Sequence, residues 1–212
     1  MSGTDARTDV RALQRTPSGM FGNDAVQSLM DGNARFVSGK PASRPLVSRV
    51  LRLAGGQSPF ATVLACADSR VPVETLFDRE PGDIFVVRLA GNFVSDAALA
   101  SIEFATAVLK APLVMVLGHT SCGAVKAALD YVHNDATFPG HIQLLAEALA
   151  PAARYARDRG DDAWYNAVAE NVRLNVEKLR TSQPIMADAL SRGDVEVVGA
   201  VYDLRTGRVE LV

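Results

Sequence analysis

Long apolar runs are missing from this sequence. No stretch approaches the roughly 18 consecutive apolar residues of a membrane span, so no membrane partner is expected. An excess of one charge is missing too. Lys and Arg number 22 against 24 Asp and Glu, and the net charge of −2 sets up no strong field for nucleic acid or an acidic surface. The densest basic group, Arg154, Arg157 and Arg159, is interrupted by Asp158, Asp161 and Asp162, the pattern of a solvated helix end. The first twenty residues carry Asp5, Arg7, Asp9, Arg11 and Arg15 and lack the apolar segment of a secretory leader. A cytoplasmic chain is therefore expected. Cysteine is scarce, with only Cys66 and Cys122. Where thiols stay reduced, two cysteines read better as ligands or nucleophiles than as a disulfide.

What is present suits one domain with a substantial core: 212 residues, 48% hydrophobic. Residues 1–22 are polar, with Pro17, Gly19 and Gly22, and read as a flexible arm. The remainder, 23–212, reads as a single α/β domain. Asn23 or Asp24 can cap a helix that runs to about Ser38, ended by Gly39 and Pro41. A short helix is expected at Ser48–Ala54. From Phe60 onward, apolar runs at Ala61–Ala65, Ile84–Val87 and Leu113–Leu117 alternate with helical patterns at Pro72–Phe77, Asp96–Leu109 and Cys122–Tyr131. Short, continuously apolar strands between helices predict a mostly parallel central sheet flanked by helices, with an N-terminal helical arm extending from it. After Gly140 the pattern gives helices at His141–Arg157, Ala163–Arg180 and Pro184–Ser191. A β-branched strand Val195–Val201 follows, turned by Thr206-Gly207 into Val209–Val212. Strand order does not follow from these patterns.

The chemistry gathers where buried strands end. Cys66 follows Thr62-Val63-Leu64-Ala65, and Leu117-Gly118-His119-Thr120-Ser121-Cys122-Gly123 follows the third apolar run. Ligands in open α/β sheets bind beyond the carboxyl ends of strands. If these two strands are neighbours, two thiolates and one imidazole converge there. Two cysteines and a histidine make a zinc site with a vacant fourth position, the arrangement of a catalytic zinc. Cys122 opens the next helix, whose positive end favours thiolate. Two residues beyond Cys66 stands Asp68, and two beyond that Arg70. In extended geometry all three side chains would face one pocket. A bidentate hold from Arg70 would keep Asp68 ionised and off the metal, where it could otherwise become the fourth ligand.

Each feature has a plainer reading when taken singly. A buried cysteine is usually a small core hydrophobe, and an Asp–Arg pair is usually structural. Their joint appearance, using every cysteine in the chain, favours the metal site. His133 and His141 read as exposed. Gly118 to Gly123 has the glycine spacing of a phosphate loop, but Ala124-Val125 replaces the required Lys-Ser/Thr.

At these residues the sequence resembles the β-class carbonic anhydrases. The matching segments are Cys66–Pro72, Gly118–Gly123, Glu80–Arg88, Ala90-Gly91-Asn92 and Ser101–Ala105. The resemblance implies reversible hydration of carbon dioxide to bicarbonate and a proton. Cys66, His119 and Cys122 would hold one Zn2+ per subunit. Asp68 would accept a hydrogen bond from the metal's water, or bind zinc in a closed state, and Arg70 would hold Asp68. The Gly123 N–H would help position bicarbonate. Gln57, nine residues before Cys66, matches the plant-type branch. Phe85 matches that branch's pocket phenylalanine, and Phe104 stands where it has tyrosine. In the family these three pocket residues come from the facing subunit, which implies a homodimer, or a homotetramer built from dimers. The alternatives are a carbon disulfide or carbonyl sulfide hydrolase on the same scaffold, and a noncatalytic zinc- or bicarbonate-sensing module.

Overall fold

A computed structural model describes residues 20–42, 46–157, 159 and 162–212. The expected flexible arm falls, through residue 19, outside the described residues. A five-stranded sheet in the order β2-β1-β3-β4-β5 organises the chain. Its strands are β1 (Ala61–Ala65), β2 (Ile84–Arg88), β3 (Leu113–His119), β4 (Glu196–Tyr202) and β5 (Val209–Leu211). The first four are parallel, and β5 closes the edge antiparallel to β4. The mostly parallel α/β expectation holds. Strands β2, β3 and β4 outrun the apolar patterns at their carboxyl ends, because ladder bonds form between backbones whatever the side chain. His119 thus pairs with Tyr202 as the last residue of β3.

Both faces of the sheet are covered, which explains the unbroken apolar runs. In β1 and β3 every residue is buried. Leu64, Val114 and Val116 face one cluster, while Val63, Ala65, Leu113, Met115 and Leu117 face the other. The first cluster packs against α4 (Asp96–Ala107), α5 (Gly123–Asn134), α6 (Ile142–Ala156), α7 (Ala163–Thr181) and α8 (Ile185–Ser191). The second lies under α1 (Gly22–Val37) and α3 (Val73–Leu76).

Helix α1 begins two or three residues before the sequence pattern suggests. Phe21, in extended conformation, is its N-cap and has no side-chain cap bond, so neither Asn23 nor Asp24 caps it. The Ala25 amide already bonds the Phe21 carbonyl, which places Asp24 in the first turn, where its charge favours the helix dipole. The helix is fastened by Asn33, whose Nδ2 donates to the carbonyls of Leu76 and Gly207 while its Oδ1 accepts from the Val209 amide. Gly32 sits so close to α3 that a Cβ there would lie 1.8 Å from the Phe77 carbonyl oxygen. By contrast α2 (Leu46–Arg52) buries no residue, although Leu46, Val47, Val50 and Leu51 make it strongly apolar. Among the described residues no helix is long and apolar enough to cross a membrane.

Candidate metal centre

Neighbouring strands β1 and β3 deliver the three proposed ligands to one place. Ala65 of β1 pairs with Leu117 of β3. One residue past β1 comes Cys66, and two residues past Leu117 comes His119. The chain then reverses through Ser121, which adopts φ +57°, and Cys122 becomes the N-cap residue of α5. All three are buried, His119 completely. One ligand atom from each lies within 4.8 Å of the others, and the two sulfurs are 4.0 Å apart. Zinc–sulfur bonds of about 2.3 Å at a tetrahedral angle would separate two sulfurs by roughly 3.8 Å, so the pair is already spaced for one ion.

The imidazole supplies the sharpest test of fit. His119 Nδ1 lies 2.9 Å from the Thr120 carbonyl, an acceptor only, so Nδ1 carries the proton and Nε2 presents a lone pair. Nε2 is buried and has no hydrogen-bond partner among the described residues. A bare buried acceptor is costly, and a borderline-soft cation held with two thiolates would satisfy it. Thr120 is fixed in turn. Its amide donates to the Tyr202 carbonyl and its hydroxyl accepts from the Leu204 amide.

The thiols form an unequal pair. Cys66 is pushed down to about 4, chiefly by the Cys122 thiol donating to it, with help from His119 and the Gly91 and Asp68 backbone, against the effect of burial. Cys122 is pushed up by the same contact and by burial, although the amides of Val125 and Ala124 at the start of α5 oppose this. A zinc ion held by both sulfurs would displace that remaining proton.

Asp68 and Arg70 do meet, but not through extended geometry. Arg70 Nε and backbone N–H both donate to Asp68 Oδ1 at 2.9 Å, and Nη2 donates to Oδ2 at 2.7 Å. A turn, not a strand, folds the chain around this carboxylate, because extended residues two apart are too distant for such contacts. Arg70, an exposed side chain, holds Asp68 well below the usual carboxylate range, while partial burial opposes it. The Asp68 Oδ2 lies 3.9 Å from His119 Nε2, at the edge of the cluster.

Of the other sequence candidates, Gly123 begins α5, and an added Cβ there would have no heavy atom within 4 Å. Phe85 and Phe104 meet each other, with ring centroids 6.3 Å apart. They are not gathered at this chain's own cluster. Phe85 pairs with Thr62 in the amino-terminal half of edge strand β2, whereas Cys66 lies beyond the Ala65–Arg88 pair at the other end. Gln57 lies in the irregular segment before β1.

Three supports carried no role in the sequence reading. Arg88 Nε donates to the Cys66 carbonyl and its Nη2 to the Asp68 carbonyl, at 3.0 and 2.6 Å. The Gly91 amide donates to Cys66 Sγ at 3.4 Å. Trp164, the only tryptophan, donates through Nε1 to the Cys122 carbonyl at 3.0 Å. Only its singularity could have flagged Trp164.

Comparison with known proteins gives one answer. Residues 61–209 match the carbonic anhydrase family. A carbonic anhydrase of Mycolicibacterium smegmatis is 42% identical over 188 residues, covering 88% of this chain and 91% of that protein. The Coccomyxa β-carbonic anhydrase, solved with acetazolamide, superposes with a TM-score of 0.70 at 31% identity, covering 88% of this chain and 86% of that one. One of two tetrameric β-carbonic anhydrases from Sordaria macrospora gives the same TM-score at 29% identity, over 77% of this chain and 85% of that one.

Proposed function

The chain belongs to the β-class carbonic anhydrases, and from that premise we propose how its own residues divide the reversible hydration of carbon dioxide to bicarbonate and a proton. The enzyme is a zinc lyase. The observation that carries the residue assignment is the buried Cys66–His119–Cys122 cluster with its bare imidazole nitrogen.

Cys66 and Cys122 as thiolates balance the charge of a divalent ion, and His119 Nε2 is the third donor. Zinc held there supplies the Lewis acidity that brings a water molecule close to ionisation at neutral pH. Asp68 accepts a hydrogen bond from that water and so aims an oxygen lone pair at the carbon of carbon dioxide. Its lowered pKa keeps it ionised, and so an acceptor, throughout the neutral range. Arg70 holds both carboxylate oxygens and keeps Asp68 from taking the open position. The Gly123 N–H, at the start of α5, donates to a bicarbonate oxygen. The released proton passes to solvent.

We assign Gln57, Phe85 and Phe104 to the substrate pocket of a neighbouring subunit, with residues 23–212 acting as one catalytic domain. The separation of Phe85 from this chain's own cluster supports that reading. So does the apolar surface formed by α2 and the half-exposed Phe104 ring, which a second copy would cover. The unit is a homodimer, or a homotetramer built from it. Gln57 and the held Asp68 favour the plant-type, constitutively open branch. Two buried free thiols suit a reducing compartment and favour the cytoplasm.

Stopped-flow hydration of carbon dioxide on protein of measured zinc content tests the reading. Activity should track bound zinc, disappear on chelation and return with added zinc. Full activity in metal-free protein would overturn it.

A further inference from the structure

The loop between β2 and α4 is gripped by one face of α7. Asn171, Asn175 and Lys178 stand at helical positions i, i+4 and i+7, so all three face the same way. Asn171 Nδ2 donates to the Gly91 carbonyl at 2.9 Å. Asn175 Oδ1 accepts from the Val94 amide at 2.6 Å, and Lys178 Nζ donates to the Val94 carbonyl at 2.7 Å. Asn175 Nδ2 also donates to Asn171 Oδ1 at 2.9 Å, which fixes the rotamer of the first asparagine. Both asparagines are buried.

Gly91 is therefore held at both ends of one residue. Its carbonyl takes the Asn171 amide, and its own N–H reaches Cys66 Sγ at 3.4 Å. Its backbone sits at φ +81°, and a Cβ there would come within 2.6 Å of Leu149 Cδ1. Glycine is the residue that fits, and without a side chain it relies on its hydrogen bonds for orientation. The Gly91 carbonyl and the Asn92 amide share one peptide plane, pinned by Asn171 on one side and by the Leu89 carbonyl on the other, so a shift of that plane would carry the Gly91 Cα, and the N–H attached through it, away from the sulfur.

We propose that Asn171 is a positioning residue for the metal centre: by holding the Gly91 carbonyl it aims the Gly91 N–H at the Cys66 sulfur and so sets how strongly that thiolate donates to the bound ion. This rests on the assignment of Cys66 as a ligand. An N–H donor draws electron density from the thiolate, which lowers its donation and raises the energy needed to move an electron from sulfur to metal. Asn175 acts one step further back, by orienting Asn171.

The test uses the full chain loaded with cobalt(II), whose sulfur-to-metal charge-transfer band reports thiolate donation directly. In Asn171→Ala the band should move to lower energy, and zinc affinity should fall about tenfold or more, the usual cost of losing a group that orients a ligand. Asn171→Leu refills the volume and should shift the band the same way, which separates lost orientation from a cavity. Cadmium-113-loaded wild-type protein should also show coupling between the Gly91 amide proton and the metal through the N–H···S contact. Bands and affinities unchanged in the folded variants would overturn the proposal, and so would the absence of that coupling, which needs no variant. Cys66→Ala is the control. If it keeps the full wild-type band, the ligand assignment itself has failed; if it loses about half of the intensity, the share of one of two thiolates, while the Asn171 variants keep the wild-type band, only the positioning role fails.

Discussion

Arg70 holds both carboxylate oxygens of Asp68, yet Asp68 Oδ2 remains 3.9 Å from His119 Nε2. The carboxylate is thus next to the metal position, with two donors on Oδ1 and one on Oδ2, which leaves an Oδ2 lone pair for a water. Asp68→Asn keeps the size of the side chain and removes its charge. It should retain zinc, measured by atomic absorption, and lose roughly 10- to 100-fold in kcat, the cost typical of removing a group that orients a metal's ligand. Turnover within twofold of wild type would remove Asp68 from the mechanism.

The Arg70 contact is the largest cause of the lowered Asp68 pKa. Arg70→Ala should let that carboxyl titrate at higher pH, toward its ordinary range, followed by carbon-13 NMR of the metal-free protein. A depressed carboxyl contributes stability that is present above its unfolded value and lost as pH falls through the folded one. Arg70→Ala should therefore weaken the loss of stability on acidification. An unmoved Asp68 titration would show that the turn itself, and not the guanidinium, sets its acidity.

The unequal thiols give metal uptake a proton signature. With Cys66 pushed down to about 4 and Cys122 pushed up, the metal-free pair at neutral pH holds one proton. Ligation requires both thiolates, so uptake should release about one proton, and apparent affinity should rise about tenfold per pH unit between about pH 7 and 9. Calorimetry in two buffers of different ionisation enthalpy measures this. Release of two protons would mean that Cys66 is an ordinary thiol.

The metal cluster was legible in the sequence because its chemistry resides in rare side chains. Cys66 and Cys122 are the only cysteines, and His119 is three residues from one of them. The Asp68–Arg70 pairing was legible by residue type, but its geometry was not, since a turn around an aspartate and an alternating strand share the same letters. Strand order was hidden for a related reason: Ala61–Ala65 and Leu113–Leu117 are both fully buried runs, and nothing in them names a neighbour. The Gly91 contact was out of reach altogether, because a backbone N–H aimed at a sulfur has no side chain to announce it. Asn171 and Asn175 read as ordinary polar residues of a helix until the loop they grip is in view.

Asn33 ties α1 to two other parts of the chain with three hydrogen bonds while almost completely buried. Asn33→Ala leaves two carbonyls and one amide without partners, and each unsatisfied buried group costs about 1–3 kcal/mol, partly relieved by water entering the space. A loss of about 2–4 kcal/mol in urea unfolding is expected. Zinc content should be unchanged at low denaturant, since Asn33 lies on the sheet face of α1 and α3. A loss under about 0.5 kcal/mol would mean that solvent replaces all three bonds.

The apolar surface of α2 yields the test of self-association. Leu51 and Val47 are 71% and 73% exposed in one chain, and the whole helix buries nothing. A seven-residue helix is too short to persist in water through its own hydrogen bonds; Arg49 ties it to Pro81 and Asp83 of the same chain, and its apolar side chains are left uncovered. Leu51→Asp places a charge that would have to be desolvated on that surface. Sedimentation velocity should show a shift toward the mass of one chain, and hydration activity should fall with it, because Gln57, Phe85 and Phe104 then lose the neighbouring cluster they serve. Leu144 on α6 is also exposed, at 56%, but lies on the opposite side of the sheet from α1 and α3. Leu144→Asp should leave both mass and activity unchanged. If Leu51→Asp stays assembled and Leu144→Asp dissociates, the contact lies on the helical face of α6 and the pocket assignment of Phe85 and Phe104 falls with it.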